Sequence, residues 1–101
     1  MSVGRNNRNV RTRSYRHCLK TLGANVAELA DLAFAEFLRN PQSPILANHP
    51  LDDTRRGRHR KESRAVSVTY RYRAIYVVEG DTNVWYWIGT HESYNTFTGR
   101  K

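Results

Sequence analysis

The residues of this sequence that could do chemistry fall into three groups, all in its second half. Arg71 and Arg73 stand two apart at the start of Tyr72 to Val78, a run of strong β propensity. Side chains at i and i+2 of a strand share a face, so two guanidinium groups would lie side by side. Such a pair can fork onto a phosphate and stabilise the charge that builds on it under attack, although a solvated strand end presents the same pattern. His91 and Tyr94 are three apart in Gly89-Thr90-His91-Glu92-Ser93-Tyr94, and they share a face if a helical turn starts there. Imidazole is suited to proton transfer in RNA cleavage, whereas a lone histidine is more commonly a surface or turn residue. Finally, Arg55, Arg56, Arg58, Arg60 and Lys61 place five cations within seven residues. With almost no interleaved carboxylate, this loop is expected to tether phosphates without reading sequence; the alternative is a loop that is merely solvated.

The elements that must hold these groups follow from periodicity. Ser14 is the expected N-cap of a short helix carrying Tyr15, Cys18, Leu19 and Leu22, stopped near Gly23. A second helix is expected from Asn25, as its cap, to Arg39, with Val26, Leu29, Ala30, Ala33, Phe34 and Phe37 forming one buried stripe. Asn40-Pro41 ends it, and the two helices make an αα-hairpin. Gln42 to Leu51 holds two further prolines, and a short extended piece is expected around Ile45-Leu46-Ala47. The pattern then turns to period two in Ala65–Thr69, Tyr72–Val78 and, after the turn Glu79–Asn83, in Val84–Ile88. That last strand is apolar on both parities, which predicts a central position covered on both faces. Asn9–Thr12 can add a short edge strand from an otherwise polar, basic N-terminal arm. The fold class is therefore α+β: an N-terminal αα-hairpin packed on a small twisted antiparallel sheet, in the order β-α-α-β-β-β. The expected organisation is an arm over residues 1–12 and a single domain over 13–101.

Charge narrows the function. The 101 residues hold 17 Lys and Arg against 9 Asp and Glu, a net charge of +8, and lysine occurs only at Lys20, Lys61 and Lys101. Arginine forks onto phosphate and stacks on bases, so an Arg-weighted excess suits nucleic acid, RNA above all. Cys18 is the sole cysteine; it cannot form an internal disulfide and is expected to be a buried thiol. The polar N-terminus and the absence of an apolar run of membrane-spanning length predict no membrane partner and a cytoplasmic location. His17, His49, His59 and His91 lack the spacing of a metal site, and neither a P-loop nor a dinucleotide fingerprint is present, so no metal and no cofactor are expected. The carboxylates lie mostly on the second helix or in turns, which argues against a paired-carboxylate mechanism.

The run from Arg64 to Tyr94, above all its Tyr72-Arg73-Ala74-Ile75-Tyr76 strand, acidic glycine hairpin and Ile88-Gly89-Thr90-His91-Glu92-Ser93-Tyr94 ending, resembles the RelE/ParE superfamily of type II toxin–antitoxin toxins. With Leu46-Ala47-Asn48-His49-Pro50-Leu51 and the helical hairpin, the resemblance covers about residues 8 to 97. It implies a β-α-α-β-β-β fold and a metal-independent mRNA endoribonuclease of RelE or HigB type, commonly ribosome-dependent, that inhibits translation by using the ribose 2′-hydroxyl as nucleophile. Carried across, Arg73 matches the phosphate-contacting arginine. His91 and Tyr94 fall where the family places its proton-transfer and orienting groups, and Arg71, Arg64 and Lys61 are supporting RNA-binding cations. The implied partners are mRNA, the ribosome and an acidic antitoxin that the +8 charge would attract. This sequence has no second His or Arg beside Tyr94, and its basic loop is long. The ParE branch shares the fold but poisons DNA gyrase, so a non-nucleolytic gyrase inhibitor and a non-catalytic RNA-binding domain stand as alternatives.

Overall fold

The computed structural model describes residues 8–53 and 56–99. Most of the N-terminal arm, with its arginine at position 5, and Arg55 of the basic loop lie outside the described residues. The described chain runs β1 (Arg8–Arg11), α1 (Arg13–Leu22), α2 (Ala24–Arg39), a 3-10 turn (Pro44–Leu46), β2 (His49–Pro50), β3 (Ser63–Ser67), β4 (Tyr72–Glu79), β5 (Thr82–Thr90) and α3 (His91–Phe97). The strands form one sheet in the order β1-β5-β4-β3-β2. β2, β3, β4 and β5 pair antiparallel, whereas β1 joins the edge of β5 in parallel, with Val10 opposite Val84. The architecture is the expected α+β one, but the expected edge strand runs parallel to β5, so the sheet is mixed and not antiparallel throughout, and β2 and a C-terminal helix are added to it.

The helical hairpin forms where the apolar stripes predict, with three local corrections. The N-cap of α1 is Thr12, whose hydroxyl accepts the Tyr15 N–H at 3.2 Å. Ser14 lies inside the helix, and its hydroxyl instead donates to the Tyr86 carbonyl at 2.8 Å, tying α1 to β5. α2 starts at Ala24 directly after Gly23, whose φ of 100° suits only glycine and lets the chain reverse without a loop. Asn25 is therefore within the helix and does not cap it. The extended piece expected around Ile45 is a 3-10 turn: Pro44 supplies the fixed φ of its first position, and Leu46, 1% exposed, plugs into the core.

As its two-sided apolarity required, β5 is central, lying between β1 and β4. On one face α1 and α2 cover a core of Tyr15, Ala30, Phe37, Leu46, Val66, Ala74, Tyr76, Trp85 and Ile88. On the other, Leu51, Ala65, Ile75 and Tyr94 are buried with Tyr86, Trp87 and Phe97 against them. A bulge divides these assignments: Ile75 pairs with Trp87 and Tyr76 with Trp85, leaving Tyr86 as the extra residue. Tyr86 and its neighbour Trp87 consequently both pack with the α3 face, while Trp85 and Ile88, three apart, serve the helical face. Leu29, expected in the buried stripe of α2, lies at its exposed rim. No helix among the described residues is long and apolar enough to cross a membrane.

Candidate functional site

The end of β5 delivers the site. Thr90 caps α3, its hydroxyl accepting the Ser93 N–H at 3.0 Å, so that His91 opens the helix and Tyr94 follows one turn later. The two side chains share a helix face, as their spacing predicts, with ring centroids 6.2 Å apart and planes inclined by 27°. Their environments differ: His91 is exposed, whereas Tyr94 is 3% exposed and part of the core on that side of the sheet.

The Tyr94 hydroxyl meets His49, a histidine to which the sequence assigned no role. His49, on the edge strand β2, holds Nδ1 2.8 Å from the Ala47 carbonyl and Nε2 3.2 Å from Tyr94 Oη. A carbonyl only accepts, so Nδ1 carries a proton, and in the tautomer with that proton alone Nε2 accepts the Tyr94 O–H. Ala47, at φ 47°, supplies the kink before β2 that lets its carbonyl reach the ring. Two imidazoles thus bracket one buried phenol, His91 on its ring and His49 at its hydroxyl.

A cleft opens on each side of this group. One, of about 380 Å³, is lined by His49, Pro50, Leu51, Asp52, His59, Thr98 and Gly99. There His59 donates from Nε2 to the Asp52 carbonyl at 2.7 Å, and its Nδ1 is buried without a hydrogen-bond partner among the described residues. The other, also about 380 Å³, is lined by Tyr70, Arg71, Tyr72, Thr90, His91, Glu92 and Asn95. The His91 N–H donates to the Arg71 carbonyl at 2.7 Å, which fixes the start of α3 to the turn between β3 and β4.

The arginines divide by what holds them. Arg71 precedes β4, is exposed and lines the His91 cleft, so it is not a strand neighbour of Arg73. Arg73 turns its Nη1 onto the Thr69, Tyr70 and Tyr72 carbonyls at 2.8, 3.0 and 3.1 Å, clamping the turn that carries Arg71. Arg64 is half-buried and donates from Nε to Asn48 Oδ1 at 2.9 Å, beside His49. In the basic loop, Arg60 pairs with Glu79 at 2.6 Å and lies over the Tyr86 ring, and its N–H donates to Tyr86 Oη at 2.8 Å. The Arg58 N–H donates to the Phe97 carbonyl at 2.6 Å. Gly99, at φ 78°, admits this loop because a Cβ there would stand 2.7 Å from the Gly57 nitrogen. The loop is thus strapped across the end of α3, with the Arg56, Arg58 and Lys61 side chains exposed on it.

Residues 51–96 match the family model of the ParE-like toxin domain. No curated protein matches the sequence. Among solved structures, YafQ of E. coli superposes with a TM-score of 0.67 at 15% identity, over 87% of this chain and 98% of that one. A copper-bound mutant toxin of Helicobacter pylori gives 0.63 at 17% identity, over 85% and 96%. The E. coli DinJ-YafQ complex gives 0.58 at 18% identity, over 86% and 97%. At these identities the structural likeness establishes a common fold.

Proposed function

We propose that this chain, a member of the RelE/ParE superfamily of toxins, is the toxin of a type II toxin–antitoxin pair and acts by cutting mRNA, in ribosomes programmed with it. The observation that carries the reading is the pair of imidazoles at Tyr94, with Arg71 beside His91 and Arg64 near His49. Cutting RNA through its own 2′-hydroxyl needs one group to take the 2′ proton and another to protonate the departing 5′-oxygen. The 2′-oxygen bonds to phosphorus, the bond from phosphorus to the 5′-oxygen breaks, and a cyclic phosphate is left. His49, its ring held by the Nδ1–H bond to Ala47, serves as the base once its Nε2 exchanges the Tyr94 hydroxyl for the 2′-hydroxyl, and exposed His91 as the acid. Tyr94, too buried to meet RNA broadly, holds both rings. Arg71 and the exposed cations of the basic loop bind the backbone, and Arg73 acts through the turn it clamps.

The partner that silences such a toxin would be acidic, given the net charge of +8, and YafQ itself is found in complex with DinJ. The match to the ParE-like domain supports a second reading, a gyrase inhibitor that cuts nothing. Induced expression of the wild type, His91→Ala and His49→Ala, followed by primer extension on cellular mRNAs, separates the two. The expected result is growth arrest with discrete cuts for the wild type, and a loss of cleavage of about 10²–10⁴-fold in each variant. Arrest with intact mRNA and inhibited DNA supercoiling would transfer the assignment to gyrase.

A further inference from the structure

We infer that Tyr70 is a stacking platform for one nucleobase of the bound RNA and sets the choice of cutting site; this rests on the nuclease reading above. Tyr70 is 90% exposed, more than any other large hydrophobic or aromatic side chain described. Its ring has no aromatic partner among the described residues, so it adds little to the core. Yet the backbone beneath it is held from several directions. The Val68 N–H donates to the Tyr72 carbonyl at 2.9 Å, the Tyr72 N–H to the Thr69 carbonyl at 3.3 Å, and the Arg71 N–H to Thr69 Oγ1 at 3.1 Å. The Arg73 clamp closes the same turn, and the Arg71 carbonyl locks it to α3 through the His91 N–H. Because the turn beneath the ring is held, binding a base there would have to order the side chain but not the backbone that carries it.

The surroundings select the occupant. Tyr70 shares its cleft with His91, with the Arg71 cation, and with Asn95 and Glu92 on α3. A flat ring beside a guanidinium suits a base with its phosphate, since single-stranded RNA is held by aromatic stacking together with backbone charge. The Asn95 amide and the Glu92 carboxylate can pair with the edge of the stacked base, which is where preference among bases would arise. Arg73 is then a positioning residue for this platform.

The test compares wild type, Tyr70→Ala and Tyr70→Trp. Primer extension on mRNA in a translating extract gives the cut positions and their rates. Fluorescence of 2-aminopurine, placed in an oligoribonucleotide blocked at the cut position by 2′-O-methylation, reports stacking directly. Because Tyr70 is so exposed, all three proteins are expected to melt alike. Tyr70→Ala should lose roughly tenfold to a hundredfold in rate at the preferred positions, spread its cuts over more sites, and no longer quench the probe. Tyr70→Trp should restore all three. Cuts at unchanged positions and rates in Tyr70→Ala would overturn the platform and leave the nuclease standing. If the wild type makes no cuts but quenches the probe in a Tyr70-dependent way, the nuclease reading falls, and with it the choice of cutting site, while the stacking of a base on Tyr70 stands. No quenching and no cutting by the wild type would overturn both.

Discussion

The two faces of the sheet are built for different work. Under α1 and α2, nine buried residues interlock through aromatic edges: the Trp85 ring lies 4.9 Å from Phe37, 4.5 Å from Tyr76 and 6.1 Å from Phe34. The polar atoms there are tied inward, Trp85 Nε1 to Asn9 Oδ1 at 3.0 Å and Tyr76 Oη to the Asn48 amide at 2.9 Å. Under α3 the apolar cluster holds only four buried residues, and the rings beside them are only partly covered. Tyrosine hydroxyls of this face find polar partners at its margin, Tyr86 at buried Ser63 and Tyr94 at half-buried His49. A thick apolar layer stabilises the sheet, while a thin layer lets functional groups be both anchored and accessible. The candidate site is on the thin side because a deep core could not leave His49 and His91 within reach of a substrate.

The sharpest way to break this comparison is to empty one position on each face. Trp85→Ala should cost about 3–5 kcal/mol, as large aromatic deletions from a packed core do, and that is a large part of the ~5–15 kcal/mol that holds an average domain together. Phe97→Ala, whose ring stacks on Trp87 with centroids 4.9 Å apart but is only half-buried, should cost clearly less. Urea unfolding of the two variants gives both values. Equal losses would mean that the α3 face stabilises the fold as much as the helical face.

A smaller change tests whether the thin face serves function. Tyr94→Phe keeps the ring against His91 and removes only the hydroxyl at His49. Stability should fall by about 1 kcal/mol or less, the ordinary net contribution of one hydrogen bond. Cleavage should fall by about tenfold or more through kcat, with KM little changed, because His49 loses its orienting partner. A large loss of stability with undiminished activity in the remaining folded protein would make Tyr94 a core residue and nothing else.

What could be read from the sequence follows the same division. The helical face was legible because Tyr15, Cys18, Leu19 and Leu22, then Ala30, Ala33, Phe34 and Phe37, repeat at helical spacing and all meet the sheet. The placing of His91 and Tyr94 on one face of a helix was legible too, since both are local to one turn. The bulge at Tyr86 was hidden because Val84 to Ile88 is apolar on both parities, so a shift of parity leaves no trace. His49 was missed as a partner of Tyr94 because 45 residues separate them. Only the pairing of β2 with β3 brings its ring to α3. Arg60 read as one of five free cations, yet Glu79, nineteen residues on, neutralises it across the hairpin. Long-range pairing of this kind follows from strand register, which composition and local spacing do not encode.

The smallest effect sharpens the comparison at its chemical edge. Tyr15 of α1 is 5% exposed on the helical face, and burial raises its phenol pKa above the usual 10.0, with Arg11 lowering it and Asp31 raising it by charge. The neutral phenol is thus favoured in the fold, whereas the unfolded chain ionises first as pH rises. Above about pH 10 the unfolded state binds fewer protons than the native one, so stability falls with pH until the native phenol also ionises. The contribution is fully present below pH 10 and is lost as pH climbs through the raised native value. Tyr15→Phe should therefore leave unfolding unchanged near neutrality and make the alkaline fall shallower. Urea midpoints measured from pH 8 to 11 decide it: an identical alkaline slope in the variant would show that Tyr15 does not carry that sensitivity.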